Sequence, residues 1–210
     1  MSDGSSPDAG VTAGSRRIGR RSLLRGLTAV GAVVAVTGAM TIGSETPALA
    51  AQSGWRWCRQ CQGLWYAGNR FSLCPAPSFN GRSWPHSSNG SGNYNLYRIG
   101  EGGNQHEWRW CQNCQGLWFS GNGTNGNCAG TLDWTTAGKP APHSMSGSGN
   151  YQLAVNGSPF DSPPAGQDGW YWCLQCQGLW YGLNGPGYCP IARGASHSRI
   201  NSGFYFVPKD

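Results

Sequence analysis

The nine cysteines of the 210-residue chain fall into three sets of three, each spelled Cys-x-x-Cys, then twelve or thirteen residues, then Cys. A His-Ser pair follows each set. The groups are Cys58, Cys61, Cys74 with His86; Cys111, Cys114, Cys128 with His143; and Cys173, Cys176, Cys189 with His197. Three thiols cannot pair off as disulfides within a group, whereas three thiolates and one imidazole complete a tetrahedral zinc shell. The expectation is therefore about three structural zinc ions per chain. Iron would fit the same donors and would change the redox chemistry rather than the geometry. A disulfide scaffold is the competing reading, and it must pair cysteines between groups and leave one over. A redox Cys-x-x-Cys needs a helix amino terminus after a strand, and the Gln-Gly-Leu-Trp-aromatic run after each pair reads as a strand.

The metal-ligand pattern lies inside a longer internal repeat. Each unit opens on Trp-x-Trp-Cys, at Trp55, Trp108 and Trp170. Gln-Gly-Leu-Trp and an aromatic follow the second cysteine, from Gln62 to Tyr66, Gln115 to Phe119 and Gln177 to Tyr181; an Asn recurs at 69, 122 and 184. Ser-Gly-x-Tyr closes the units at Tyr94, Tyr151 and Tyr205, always eight positions past the histidine, while the Cys-to-His interval varies from eight to fifteen. A constant interval implies fixed structure and a variable one an exposed loop. The repeats run over 54–100, 107–157 and 169–210.

Alternation supplies the elements. Trp-x-Trp and Leu-Trp-aromatic read as two short strands joined by the Cys-x-x-Cys-Gln-Gly turn, and Tyr-x-Leu or Tyr-x-Val as a closing strand. The fold class is all-β: three small zinc-stabilised modules, either packed with pseudo-threefold symmetry of the β-trefoil type or strung as beads on Gly/Pro linkers. The turn resembles the zinc knuckle of zinc ribbons and rubredoxin. That resemblance implies backbone amides aimed at the thiolates and a glycine that relieves the backbone, over about fifteen residues per unit. The whole pattern is also similar to a repeat of secreted bacterial proteins of undefined role, a likeness that implies no activity.

Residues 1–50 differ in kind. Arg20-Arg21-Ser-Leu-Leu precedes a mildly apolar run from Leu27 to Ile42, and Ala48-Leu49-Ala50 supplies a small-residue cleavage signature. The segment resembles a twin-arginine signal, which implies export of an already folded, metal-loaded chain that would start near Ala51. An ordinary secretory signal and an uncleaved anchor are the alternatives. The run is too short and too rich in Gly and Thr for a membrane span. Zinc loading before export avoids exposing free thiols to an oxidising compartment.

Charge and composition exclude several function classes. Residues 51–210 carry ten Lys and Arg against six Asp and Glu. Three Cys3His centres, each with three thiolate charges against two on the metal, bring that excess of four to about +1, which is no footprint for nucleic acid. Arg56 and Arg109 lie between tryptophans and are expected on a solvated strand face. The acids do not recur at matching repeat positions, so no paired carboxylates arise, and four ligands per zinc describe a closed structural site with no open catalytic position. His106, outside the metal groups, is expected at the surface.

What remains is an exported scaffold rich in Trp, Tyr, Asn, Gln and Ser, the side chains that stack on sugar rings and bond their hydroxyls. The expected function is a binding module for carbohydrate or a cell-envelope polymer, with avidity from triplication. A secreted hydrolase with a site between repeats is the alternative. A protein-interaction or inhibitor module using the loops Phe71 to Trp84 and Gly123 to Pro142 is another. Trp65, Trp118 and Trp180 are expected in the core, and Trp55, Trp108 and Trp170, farthest from the metal, as ligand-facing. Replacing both Arg20 and Arg21 by Lys is expected to hold the precursor in the cytoplasm, as followed by cell fractionation; undiminished secretion would return weight to the ordinary route and to disulfides.

Overall fold

A computed structural model describes residues 51–69, 72–77, 84–131, 140–156 and 166–210. The signal segment, parts of the two variable loops and the linker between repeats two and three lie outside the described residues. No helix among the described residues is long and apolar enough to cross a membrane.

The structure is all-β, with nine strands and two single 3-10 turns among the described residues. Repeat one contributes β1 (Gln52–Trp57), β2 (Leu64–Tyr66) and β3 (Tyr94–Arg98). Repeat two contributes β4 (Gln105–Trp110), β5 (Leu117–Phe119) and β6 (Tyr151–Val155), and repeat three β7 (Gly166–Trp172), β8 (Leu179–Tyr181) and β9 (Phe204–Pro208). In each repeat the first strand pairs antiparallel with both others, Trp55 opposite Tyr66 and Tyr94, Trp108 opposite Phe119 and Tyr151, and Trp170 opposite Tyr181 and Tyr205. The closing strands then pair with one another end to start. Arg98 meets Tyr151, Val155 meets Tyr205, and Lys209 bridges back to Tyr94. That last bridge closes the ring of repeats.

A ring of this kind shares one core, which decides between packed modules and separate beads. Trp55, Trp108 and Trp170 cluster with Leu64, Leu117 and Leu179, with Leu96, Leu153 and Val207, and with the three closing tyrosines. Each opening tryptophan meets the closing tyrosine of the next repeat edge to face. Trp55 and Tyr151 lie 5.3 Å apart, Trp108 and Tyr205 5.1 Å, and Trp170 and Tyr94 5.3 Å. T-shaped pairs at such distances add about 0.5–1.5 kcal/mol each beyond their burial. The same phenols reach amides at the start of the preceding repeat: Tyr151 donates to Gln52 and Tyr94 to Gln167, while Tyr205 is hydrogen-bonded with Gln105. Burial pushes the phenols of Tyr94 and Tyr205 up to about 12, so they remain neutral donors at physiological pH.

This core corrects the expectation for Trp55, Trp108 and Trp170. All three are 0% exposed, because the first strand of each repeat lies between two partners and points these indoles at the centre of the ring. They offer no face to a ligand, and truncating one removes a fully buried indole, which costs about 3–5 kcal/mol. Trp65, Trp118 and Trp180 are buried as expected, but on the opposite face of their strand, among the cysteines. Alternation puts Leu64 into the shared core and Trp65 beside the thiols.

A bulge interrupts the first strand of each repeat before the opening tryptophan, with positive φ at Gly54 (93°), Glu107 (73°) and Gly169 (82°). Glycine adopts this backbone without strain and glutamate does not. Glu107→Gly is therefore expected to raise the melting temperature by about 2–4 °C, measured by differential scanning calorimetry.

Candidate metal centres and inter-repeat clefts

Each metal group assembles from one hairpin turn and two loop positions. The turn between the first two strands carries the Cys-x-x-Cys pair. Its backbone is fixed by Cys58 N–H donating to Gly63 O (3.0 Å) and Gln62 N–H to Cys58 O (2.8 Å), a pattern repeated at Cys111 and Cys173. The third cysteine follows the loop, and the histidine precedes the closing strand.

The four donors of each group converge. The ligand atoms of Cys58, Cys61, Cys74 and His86 lie within 4.8 Å of one another, as do those of Cys111, Cys114, Cys128 and His143, and of Cys173, Cys176, Cys189 and His197. A tetrahedral ion with bonds of about 2.3 Å to sulfur and about 2.0–2.1 Å to nitrogen separates its ligands by about 3.6–3.8 Å. The Cys58–Cys74, Cys111–Cys128 and Cys173–Cys189 sulfurs are 3.8, 3.6 and 3.9 Å apart. The second cysteine of each pair lies 3.4, 3.7 and 3.5 Å from a histidine Nδ1. All nine cysteines are free thiols, at separations that suit a shared ion and exclude a disulfide. The three groups are compatible with three structural metal ions.

The electrostatics suit a cation. Hydrogen bonds from Cys61 and Cys74 hold the Cys58 thiol well below its ordinary range, and Cys111 and Cys173 are held down in the same way. Burial pushes Cys61 and Cys176 up, and hydrogen bonding to Cys111 raises Cys114 and takes Cys128 to about 12. Without a metal, one thiolate per group ionises at the expense of the other two. A divalent ion lets all three carry charge in a buried site.

The surrounding shell orients the ligands. Trp65, Trp118 and Trp180 stack on His86, His143 and His197, with ring centroids 5.1–5.2 Å apart and planes 13–21° from parallel. The Nε2 of His143 lies 3.1 Å from the carbonyl of Cys176 in the next repeat, which leaves Nδ1 for the metal. Backbone amides point at sulfur as the knuckle resemblance implies: Gly116 N–H donates to Cys114 Sγ at 3.4 Å and Gly130 N–H to Cys128 Sγ at 3.2 Å.

One detail departs from expectation. The left-handed residue of each knuckle is the glutamine, with φ of 65°, 68° and 64° at Gln62, Gln115 and Gln177, not the glycine after it. Side-chain bonds hold it there. Gln115 Oε1 accepts from Trp110 Nε1 (2.9 Å) and from Asn69 of the preceding repeat (2.7 Å), while its Nε2 donates to Gln112 O (2.8 Å). Its backbone carbonyl accepts from Tyr66 N–H at 2.9 Å, and Gln177 and Gln62 repeat this toward Phe119 and Tyr181. Arg56 and Arg109 also differ from the solvated face expected: Arg56 is bonded to Asn93, and Arg109 donates to Gly149 O at 3.3 Å. His106 is exposed, as expected.

The joints between repeats form clefts that repeat reasoning on the tryptophans missed. Between repeats one and two, Gln52, Tyr66, Asn69 and Arg98 face Trp110 and Tyr151 across about 180 Å³. At the next joint Gln105, Phe119, Asn122 and Val155 face Trp172 and Tyr205 across about 270 Å³. The recurring asparagine was the sequence signal for them. At the third joint Lys209 takes the position of Arg98 and Val155, four residues past the closing tyrosine. Its Nζ lies 5.9 Å from the centre of the Tyr94 ring, and Asp210 accepts from Asn93 (2.6 Å) and Asn95 (2.5 Å).

Elemental analysis of protein purified without chelator is expected to give about three zinc per chain, and Cys111→Ser to remove one. Protons compete with metal for thiolate and imidazole, so affinity falls as pH falls; acid titration with a metal-sensitive dye is expected to show release on the acid side only. A metal-free protein with four disulfides by mass would sink the assignment. No family model, curated protein or solved structure matches this chain.

Proposed function

We propose that this chain is an exported, zinc-stabilised binding module for carbohydrate or a cell-envelope polymer, bound in the clefts between its repeats. The observation that carries the reading is the recurrence of one cleft chemistry at two joints: Gln, Asn and a partly buried Tyr or Phe, lined by a Trp that is partly buried at one joint (Trp110) and buried at the other (Trp172). Amides bond sugar hydroxyls and half-exposed aromatic rings cover the apolar face of the sugar ring. The clefts take over the role expected of Trp55, Trp108 and Trp170.

Zinc is favoured over iron because a closed set of four ligands supports a structural ion without redox chemistry. The described lining of the two clefts contains no carboxylate or imidazole, which favours binding over hydrolysis. Arg20-Arg21 and Ala48-Leu49-Ala50 support export by the twin-arginine route, and folding before export suits a protein that must carry metal.

Pull-down of the zinc-loaded protein on peptidoglycan and on insoluble polysaccharides tests the reading. Asn69→Ala with Asn122→Ala also removes bonds to the knuckle residues Gln115 and Gln177, so capture is compared at equal zinc content, where it is expected to weaken by about tenfold. If the unaltered protein is captured by none of these polymers, the protein-interaction reading replaces this one.

A further inference from the structure

The two open joints share a frame and differ in charge at one position; Phe119 stands for Tyr66 and Asn201 for Gly147, and neither exchange alters charge. Tyr151 and Tyr205 form the same wall of the two open clefts, and Gln52 with Gln105, Asn69 with Asn122, and Trp110 with Trp172 occupy matching places. The residue four past the closing tyrosine is Arg98 in one cleft and Val155 in the other. Lys209 at the third joint shows where a cation at this position reaches, since its ammonium lies over the Tyr94 ring and Gly92 leaves room for its stem. A Cβ on Gly92 would come within 2.2 Å of Lys209 Cε.

Resting on the glycan reading, we propose that the cleft between repeats one and two selects a carboxylate-bearing sugar through Arg98, while the cleft between repeats two and three takes neutral sugar. Arg98 is exposed, and Glu101, three residues on, accepts from the Arg98 backbone amide at 2.6 Å. A guanidinium is always charged and presents a planar fork that matches a carboxylate with two parallel bonds. The described lining of this cleft holds no acid to occupy it. Gln52 and Asn69 flank the same opening with amides suited to ring hydroxyls, and Trp110 offers an aromatic face. Val155 supplies a branched apolar contact and no charge in the matching place, so the second cleft has no means to prefer an anion.

Both clefts, about 180 and 270 Å³, fall below the roughly 300–1,000 Å³ of pockets that enclose drug-sized molecules. Each therefore accommodates a single sugar residue, and affinity for a polymer comes from using both clefts on one chain. The ligand that suits the pair is a polysaccharide in which acidic and neutral residues occur together. At the third joint Lys209 bridges back to Tyr94 and Asp210 accepts from the side-chain amides of Asn93 and Asn95, so that surface carries this chain's own cation and carboxylate.

Calorimetric titration of the zinc-loaded protein with polygalacturonate, an all-acidic polymer, and with pullulan, a neutral one, tests the assignment. Two variants exchange the differing residue, Arg98→Val and Val155→Arg, and zinc content checks that each is folded. The unaltered protein is expected to bind polygalacturonate about tenfold more tightly than Arg98→Val does, as one charge-assisted pair requires, with pullulan binding unchanged between them. Val155→Arg is expected to gain polygalacturonate binding by a similar factor. Equal polygalacturonate binding by the unaltered protein and Arg98→Val would overturn the assignment while leaving the glycan reading intact. Binding that survives Arg98→Val but disappears at about 0.5 M salt would overturn it too, since the attraction would then lie in net charge. Binding of neither polymer by a zinc-loaded protein that is nevertheless captured on peptidoglycan would also reject it alone, whereas no capture on any glycan would reject both.

Discussion

The structure depends on a glutamine held in a left-handed backbone directly after the second cysteine of each metal group. Gln62, Gln115 and Gln177 finish the knuckle that aims two thiols at one point, and their carbonyls accept from the aromatic strand of another repeat. A non-glycine residue in this conformation costs of the order of 1–3 kcal/mol and persists only where its surroundings over-determine it. Here two side-chain hydrogen bonds at Gln62 and three each at Gln115 and Gln177 do so, beside the cysteine that precedes each glutamine. Metal binding, strand pairing and the contact between repeats thus meet at one residue.

Two apolar layers follow from that arrangement. The inner layer is aromatic and aliphatic and belongs to all three repeats; the outer consists of three small clusters in which a tryptophan, a histidine and three cysteines pack together. A repeat of about 45 residues with so few aliphatic side chains cannot bury enough surface alone. Sharing the inner layer and stapling the outer one solves the two halves of that problem. Close packing between repeats is explicit at Gly187, where a Cβ would lie 2.3 Å from the carbonyl of Cys61, and at Gly126 against Cys176. Only glycine lets the loop before the third cysteine rest on another repeat's knuckle.

Clefts arise because three similar units joined in a ring meet along grooves. The repeat supplies the same amides and rings to each joint, while positions outside the repeat's fixed framework diverge: Arg98, Val155 and Lys209. Function can therefore differ between joints without disturbing the metal centres or the inner core. Two joints carry described clefts, and at the third Lys209 bridges back to Tyr94.

The donor sets and the all-β character were legible in the sequence, because cysteine spacing and strand alternation are local properties of the chain. Alternation also separated Leu64 from Trp65, and so assigned Trp65, Trp118 and Trp180 to the interior. It could not say which of two opposite strand faces would meet water. Trp55, Trp108 and Trp170 lie far from the metal along the chain, and distance from the metal would mean exposure only for independent modules. Ring closure reverses that relation: the ends of the hairpins farthest from the cysteine knuckles become the centre of the shared core. The glutamine's backbone, the joint clefts and the bridge from Lys209 back to Tyr94 are likewise products of long-range contact between repeats. No residue within a single repeat encodes them alone, so only the tertiary structure decided them.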